Sequence, residues 1–239
     1  MLRASLVYLF VALFILIAGP LGMIWSLLSG RTDSLYSVSR LCMRVAGWIS
    51  GIRLVIRGSE RIRPDNAYLF LSNHQSNFDG PILLHATGRN LRAIVKKEMM
   101  RIPLFSMVLR QVRFVPIDRQ DPMQARVGLD QAAQLLRDGY SFFAFPEGTR
   151  SRDGFIGQFK KGVFVMAIQA GKPVVPVSIW NSRALQLPGR YGIRPATVEV
   201  SFHDPIETNG MKFEDRNYLL TLTRNAIIRG LDASDISGE

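Results

Sequence analysis

The pattern of apolar and polar positions divides the chain into three textures. Residues 5–28 carry no charged side chain, a run of 24 positions. As a helix, that run is long enough to cross a hydrocarbon core. Arg3 precedes it and Arg31 follows it. It is longer than a signal-peptide core and no Ala-x-Ala site ends it, so a retained anchor is expected rather than a cleaved leader. Pro20, between Gly19 and Gly22, leaves two forms open: one straight span, or a kinked helix that dips into one leaflet. Residues 35–49 look different. Leu35, Val38, Leu41, Cys42, Val45, Trp48 and Ile49 recur at helical spacing, while Arg40 and Arg44 lie on another part of the wheel. A basic amphipathic helix with a tryptophan near one end suits a membrane surface. A plain core-packing helix would show the same period.

From Ile52 onward short apolar runs alternate with helical patterns. Strands are predicted at 53–56, 67–71, 91–95, 112–117, 140–145, 174–179 and 197–202. A helix over 122–137 has Asp121 as its cap, Pro122 at its first position, Gln124 completing a capping-box pattern and Gly139 at its end. Further helices are predicted at 78–86, 160–170 and 212–228, the last followed by a polar tail that frays. Ser76 or Asn77 is the candidate cap of the first of these, with Pro81 tolerated near its start. The predicted class is α/β: a mixed, largely parallel sheet flanked by helices, with an N-terminal membrane-associating helical segment. The predicted division is 1–51 for the membrane-anchoring helices and 52–239 for the domain that carries the chemistry.

Charge narrows the partners. Thirty Lys and Arg against nineteen Asp and Glu leave a formal charge of +11. Such a balance favours an anionic membrane surface, phosphorylated substrates or nucleic acid. Nucleic acid is the poorest of the three, because the basic residues are not gathered in one helix and the first 28 residues favour lipid. A single cysteine, Cys42, excludes an internal disulfide framework and gives no cysteine-based zinc pattern.

The candidate chemistry centres on Asn73-His74-Gln75-Ser76-Asn77-Phe78-Asp79-Gly80. Five residues apart on one helix, His74 and Asp79 would lie ~140° around the axis. The spacing works if His74 occupies the turn before a helix and Asp79 its first turn. That is where open α/β sheets place active groups. Asp79 then accepts a hydrogen bond from one ring nitrogen of His74 and leaves the other free as a base. No serine or cysteine is placed as a nucleophile, so the proton would come from a substrate hydroxyl. A turn or capping pair explains the same two residues more blandly. No Gly-x-Ser-x-Gly elbow is present, which disfavours an esterase.

A second stretch, Phe145-Pro146-Glu147-Gly148-Thr149-Arg150-Ser151-Arg152, follows another strand-like run. Arg119 and Asp118 lie in Arg113-Phe114-Val115-Pro116-Ile117-Asp118-Arg119, and a fourth block is Val174-Val175-Pro176-Val177-Ser178-Ile179. Together the four blocks, spanning about residues 52–206, resemble the glycerolipid acyltransferase family, in particular the 1-acylglycerol-3-phosphate acyltransferases. The third block departs from the family's Phe-Ile-Asp-Arg by the inserted Val-Pro. The resemblance implies a His74–Asp79 dyad acting as general base on the free hydroxyl of lysophosphatidic acid. An acyl thioester, acyl-CoA or acyl carrier protein, would supply the chain, and phosphatidic acid would result. It implies that Arg150 holds the acceptor phosphate, that Glu147, Gly148 and Thr149 belong to the same substrate-binding turn, and that Lys96 adds a second cation, with Lys97 in reserve. Arg119 would bind the acceptor or pair with Asp118. Lys160 and Lys161 open a helix against its dipole, which hints at an anion nearby. No metal or redox cofactor is implied. His85 and His203 are expected to be structural or surface residues. The resemblance also implies a membrane-held enzyme with its catalytic domain on the cytoplasmic side. Another lysophospholipid or glycerol-3-phosphate as acceptor fits the same blocks. A non-catalytic anionic-lipid-binding protein is the rival outside enzymes.

Overall fold

The computed structural model describes residues 2–151, 153–186 and 192–231. Arg152 of the second motif and the expected fraying tail lie outside them. The strands are β1 (Arg53–Arg57), β2 (Leu69–Ser72), β3 (Arg92–Lys96), β4 (Val115–Ile117), β5 (Phe142–Ala144), β6 (Val174–Trp180) and β7 (Thr197–Phe202). They form one sheet in the order β1-β7-β6-β2-β5-β3-β4. Only β6 and β7 pair antiparallel; the other neighbours are parallel. The helices are α1 (Leu2–Ser29), α2 (Asp33–Ser50), α3 (Asp79–Thr87), α4 (Pro103–Gln111), α5 (Pro122–Arg137), α6 (Gly162–Ala170) and α7 (Arg216–Arg229). The mixed, largely parallel α/β class predicted above is the one found.

The central strand shows why the layers form. All four residues of β2 are buried, and the run is apolar without alternation up to Ser72. That is the pattern of a strand covered on both faces. Successive side chains still point to opposite faces. Leu69 and Leu71 join one core with Leu136, Phe164 and Ile227, from α5, α6 and α7. Phe70 joins the other with Leu83 and Leu109, from α3 and α4. Each such side chain, fully buried, contributes about 1.5–3 kcal/mol relative to exposure.

Several boundaries differ from the sequence pattern. The run 112–117 is strand only at Val115–Ile117, because α4 reaches Gln111 and Arg113 then takes a left-handed conformation at φ 58°. Helix α4 was not anticipated. The helical pattern at 160–170 becomes regular only at Gly162, which leaves Lys160 and Lys161 in the approach to the helix. Residues Phe213–Asp215 form a 3-10 turn before α7. Helix α5 starts as predicted: the Asp121 carboxylate accepts the Met123 N–H at 2.9 Å and the Gln124 N–H at 3.1 Å.

Helix α1 lies along the domain instead of standing away from it. Near its N-terminus Ala4 and Val7 are buried with Ile193 and packed by Phe78. Near its C-terminus Met23 is buried with Leu35, Tyr36 and Val112. Ser26 there accepts a hydrogen bond from the Gln111 amide at 3.1 Å. The outward face keeps Leu9, Leu16, Ile17, Leu21, Trp25 and Leu28 exposed. Helix α2 packs against α1 and also touches α3.

Candidate active site

The register of the sheet brings the two motifs together. β2 and β5 are parallel neighbours, paired Leu69 to Phe142 and Leu71 to Ala144. That offset is 73 residues, and His74 and Glu147 are separated by the same 73. The loops leaving these strands therefore run side by side at the strands' C-terminal ends, where parallel sheets place ligands. The His74 N–H donates to Glu147 Oε1 at 2.8 Å. The Ser151 N–H donates to the His74 carbonyl at 2.8 Å. The histidine is thus held through both of its backbone polar groups by the second motif.

Its ring is held by Asp79 and Phe145. His74 Nδ1 lies 2.8 Å from Asp79 Oδ2. The same oxygen accepts the N–H groups of Gln75 at 2.8 Å and Ser76 at 2.7 Å. Asp79 is fully buried in the first turn of α3, while the His74 side chain keeps 18% exposure. Neither Ser76 nor Asn77 caps the helix; Phe78 holds that position without a side-chain cap bond. The carboxylate turns back on the preceding loop instead. An acceptor at Oδ2 puts the neutral ring's proton on Nδ1 and leaves Nε2 with a lone pair. On one face the imidazole stacks on Phe145, with centroids 3.9 Å apart and planes 10° apart.

Glu147 is buried, and its second oxygen accepts the Gly157 N–H at 2.9 Å. Burial pushes its carboxyl above the usual range, against the pull of the Gly157 and His74 N–H donors. With both oxygens on backbone, Glu147 shapes the two loops and does not reach into open space. Gly148 sits at φ +76°, in the left-handed region. Its carbonyl accepts a hydrogen bond from Arg119. Arg119 therefore does not pair with Asp118, which lies 3.4 Å from Lys97 instead. Partial desolvation lowers the Arg119 guanidinium, and Glu98 counteracts it. Lys96, at the end of β3, lies 3.4 Å from Glu98. Thr149 and Arg150 are exposed beside Gly148.

Two residues of the first motif have partners that its pattern did not announce. The Asn73 side-chain amide donates to the Ile179 carbonyl and accepts the Ile179 N–H, both at 2.9 Å. It continues the β2–β6 pairing past the end of β2. Gln75 donates from its side chain to the Gly154 carbonyl at 2.7 Å. Both stand in the Asn73–Gly80 stretch, but their partners lie far along the chain, where no local pattern reports them. Of the other histidines, His203 pairs with Ser178 at 2.8 Å, and His85 lines a cleft between α1, α2 and α3. Burial, then nearby Arg44, holds the His85 imidazole below its ordinary value. Among the described residues no three of His, Cys, Asp and Glu gather to hold a metal ion.

The chain is similar to known proteins along most of its length. An acyltransferase family model matches residues 53–180. The chain is 26% identical over 201 residues to a 1-acyl-sn-glycerol-3-phosphate acyltransferase of Borreliella burgdorferi, covering 84% of this chain and 80% of that one. It is 36% identical over 156 residues to a chloroplastic 1-acyl-sn-glycerol-3-phosphate acyltransferase of Arabidopsis thaliana, covering 64% of this chain but only 44% of the plant protein. The crystal structure of the 1-acyl-sn-glycerophosphate acyltransferase PlsC from Thermotoga maritima superposes with a TM-score of 0.81 at 28% identity, covering 96% of this chain and 95% of that one. With more than half of its length matched by the family model and the whole fold shared with a solved relative, the chain belongs to the acyltransferase family.

Proposed function

We propose that the chain transfers an acyl group from an acyl thioester to the free hydroxyl of 1-acylglycerol-3-phosphate, giving phosphatidic acid. The observation that carries the reading is the His74–Asp79 pair at 2.8 Å, with Nε2 free of hydrogen-bond partners among the described residues. In this mechanism His74 Nε2 takes the proton of the acceptor hydroxyl, and the oxygen attacks the thioester carbonyl. The C–S bond breaks, and His74 returns the proton to the leaving thiolate. Asp79 keeps the ring oriented and stabilises the imidazolium that forms. A positioned general base of this kind contributes ~10²–10⁴-fold. Arg150, Arg119 and Lys96 supply positive charge for the acceptor phosphate, and Gly148 and Thr149 form the turn beneath it. The donor is coenzyme A or acyl carrier protein.

The cleft of about 590 Å³ lined by Val7, Val11, Cys42, Phe78 and Ile82 adjoins the loop between His74 and Asp79. Its apolar lining suits an acyl chain. The names of the relatives support lysophosphatidic acid as acceptor. The exposed apolar face of α1 suits membrane lipid, and its docking at both ends favours a helix lying in one leaflet over a span. The catalytic domain then meets the soluble donor on the cytoplasmic side.

The test is acyl transfer by detergent-purified protein with lysophosphatidic acid and either thioester, followed as phosphatidic acid formed and thiol released. His74→Ala is expected to lower kcat by at least ~10²-fold, and Asp79→Asn by a comparable factor. Full activity in His74→Ala would remove the base from this mechanism. Transfer to neutral lysolipids or glycerol-3-phosphate alone would reassign the acceptor.

A further inference from the structure

We propose that Lys160 is a phosphate ligand of this site, gripping the anion together with Arg119 beside Gly148. The inference rests on the acyl-transfer reading and adds to it a side chain and its ligand chemistry. A Cβ placed on Gly148 would meet Lys160 Cε at 3.0 Å and its Cδ and Nζ at 3.1 Å. The lysine stem therefore lies across the α-carbon of Gly148, with the ammonium beside it. The Lys160 N–H donates to the Pro146 carbonyl at 2.8 Å, which ties its backbone to the same turn. Arg119 meets Gly148 through the carbonyl. Two cations thus converge on one glycine, with the exposed Arg150 two residues on.

Glu98 acts on the Arg119 guanidinium, but among the described residues no carboxylate balances Lys160. Glu147 has both oxygens on backbone N–H groups. Glu98 lies against Lys96 and Asp118 against Lys97. Among the described residues the Lys160 ammonium has no ion pair. Two cations beside one glycine leave positive charge there that a bound anion would offset. A phosphate matches, because the arginine fork and the lysine point charge bind its oxygens in complementary ways. Position matches as well. Gly148 follows Glu147, which bonds the His74 backbone, and in the acceptor the reacting hydroxyl sits on the carbon next to the one that bears the phosphate. The glycine is required twice, by its φ of +76° and by the space the lysine stem occupies.

The phosphate has two possible sources, the acceptor's monoester or the donor's phosphopantetheine and nucleotide groups. Steady-state kinetics of the full chain in mixed micelles, varying acceptor and donor separately, distinguish them. Lys160→Met keeps the stem over Gly148 and removes the charge. We expect its KM for one substrate to rise about 10-fold or more, the loss of a charge-assisted hydrogen bond, with the effect on KM and not on kcat. Lys160→Arg is expected to recover most of it. A rise confined to lysophosphatidic acid assigns the acceptor's phosphate, and one confined to the thioester assigns the donor's. An unchanged KM for both overturns the inference. Melting in millimolar inorganic phosphate gives a readout independent of turnover. The parent is stabilised and Lys160→Met is not; equal stabilisation of both also overturns the inference. A parent that transfers no acyl group yet melts in this phosphate-dependent way would sink the acyl-transfer reading and leave the anion site standing.

Discussion

At the scale of single residues, the stack of Phe145 on His74 is the contact most open to test. Aromatic pairs contribute about 0.5–1.5 kcal/mol beyond buried area. Phe145 also meets Phe143 edge-on at 5.8 Å, so its ring is fixed from behind. Phe145→Leu keeps the apolar volume and removes the flat face. It is expected to lower kcat by ~3–10-fold with little change in either KM, while Phe145→Tyr stays near the parent. Initial rates with each substrate varied separately, beside melting curves, check this. The His74–Asp79 pair was legible in the sequence because both partners lie in one turn. The roles of Asn73 and Phe145 were not. Asn73 finds its partner 106 residues away, through a strand pairing that no local period reports. Glu147 was legible as part of a motif, yet its use of both oxygens on backbone depends on the β2–β5 register. Arg119 was expected to bind the acceptor or pair with Asp118, and its bond to the Gly148 carbonyl likewise depends on packing between distant loops.

At the scale of elements, the helix-to-strand fit around Gly128 decides how closely α5 lies on β4. A Cβ there would meet Ile117 Cγ1 at 3.0 Å and the Pro116 carbonyl at 3.1 Å. One contact is backbone, so the helix itself must give way. Gly128→Ala raises helix propensity but overpacks this seam, a cost of about 1–3 kcal/mol. Thermal melting is expected to fall by about 2–4 °C for each kcal/mol, and an unchanged or raised midpoint would show that α5 has room to move. Helix α5 was legible from period and caps, and α7 from period, to within a few residues. Helix α4 was not. It is nine residues long, it begins at Pro103, and the run after it reads continuously into β4. The left-handed Arg113 that separates the two carries no glycine to announce it.

At the scale of the whole molecule, the dominant feature is the long apolar helix strapped along the domain. Its 28 residues reach ~42 Å, and contacts with the domain hold it at both ends. Crossing a bilayer alone would break those contacts. In the proposed arrangement lipid meets the outward face, where Leu16 and Ile17 are 63% and 64% exposed. Leu16→Glu with Ile17→Glu is expected to weaken binding to anionic vesicles by at least about tenfold, since charged residues are costly among acyl chains. Sedimentation with vesicles measures this, and unaltered partitioning would move the lipid contact elsewhere. The sequence showed the apolar run but left span and dip both open, because period alone does not reveal which stripe a domain will cover. The consequence of the strap reaches into kinetics. On the proposed reading, an enzyme fastened to the surface through a helix whose first turns pack beside its own reactive loop samples its lipid substrate in two dimensions. Its rate should follow the mole fraction of acceptor in the surface, so adding inert lipid at constant total acceptor would slow turnover although nothing in solution has been diluted.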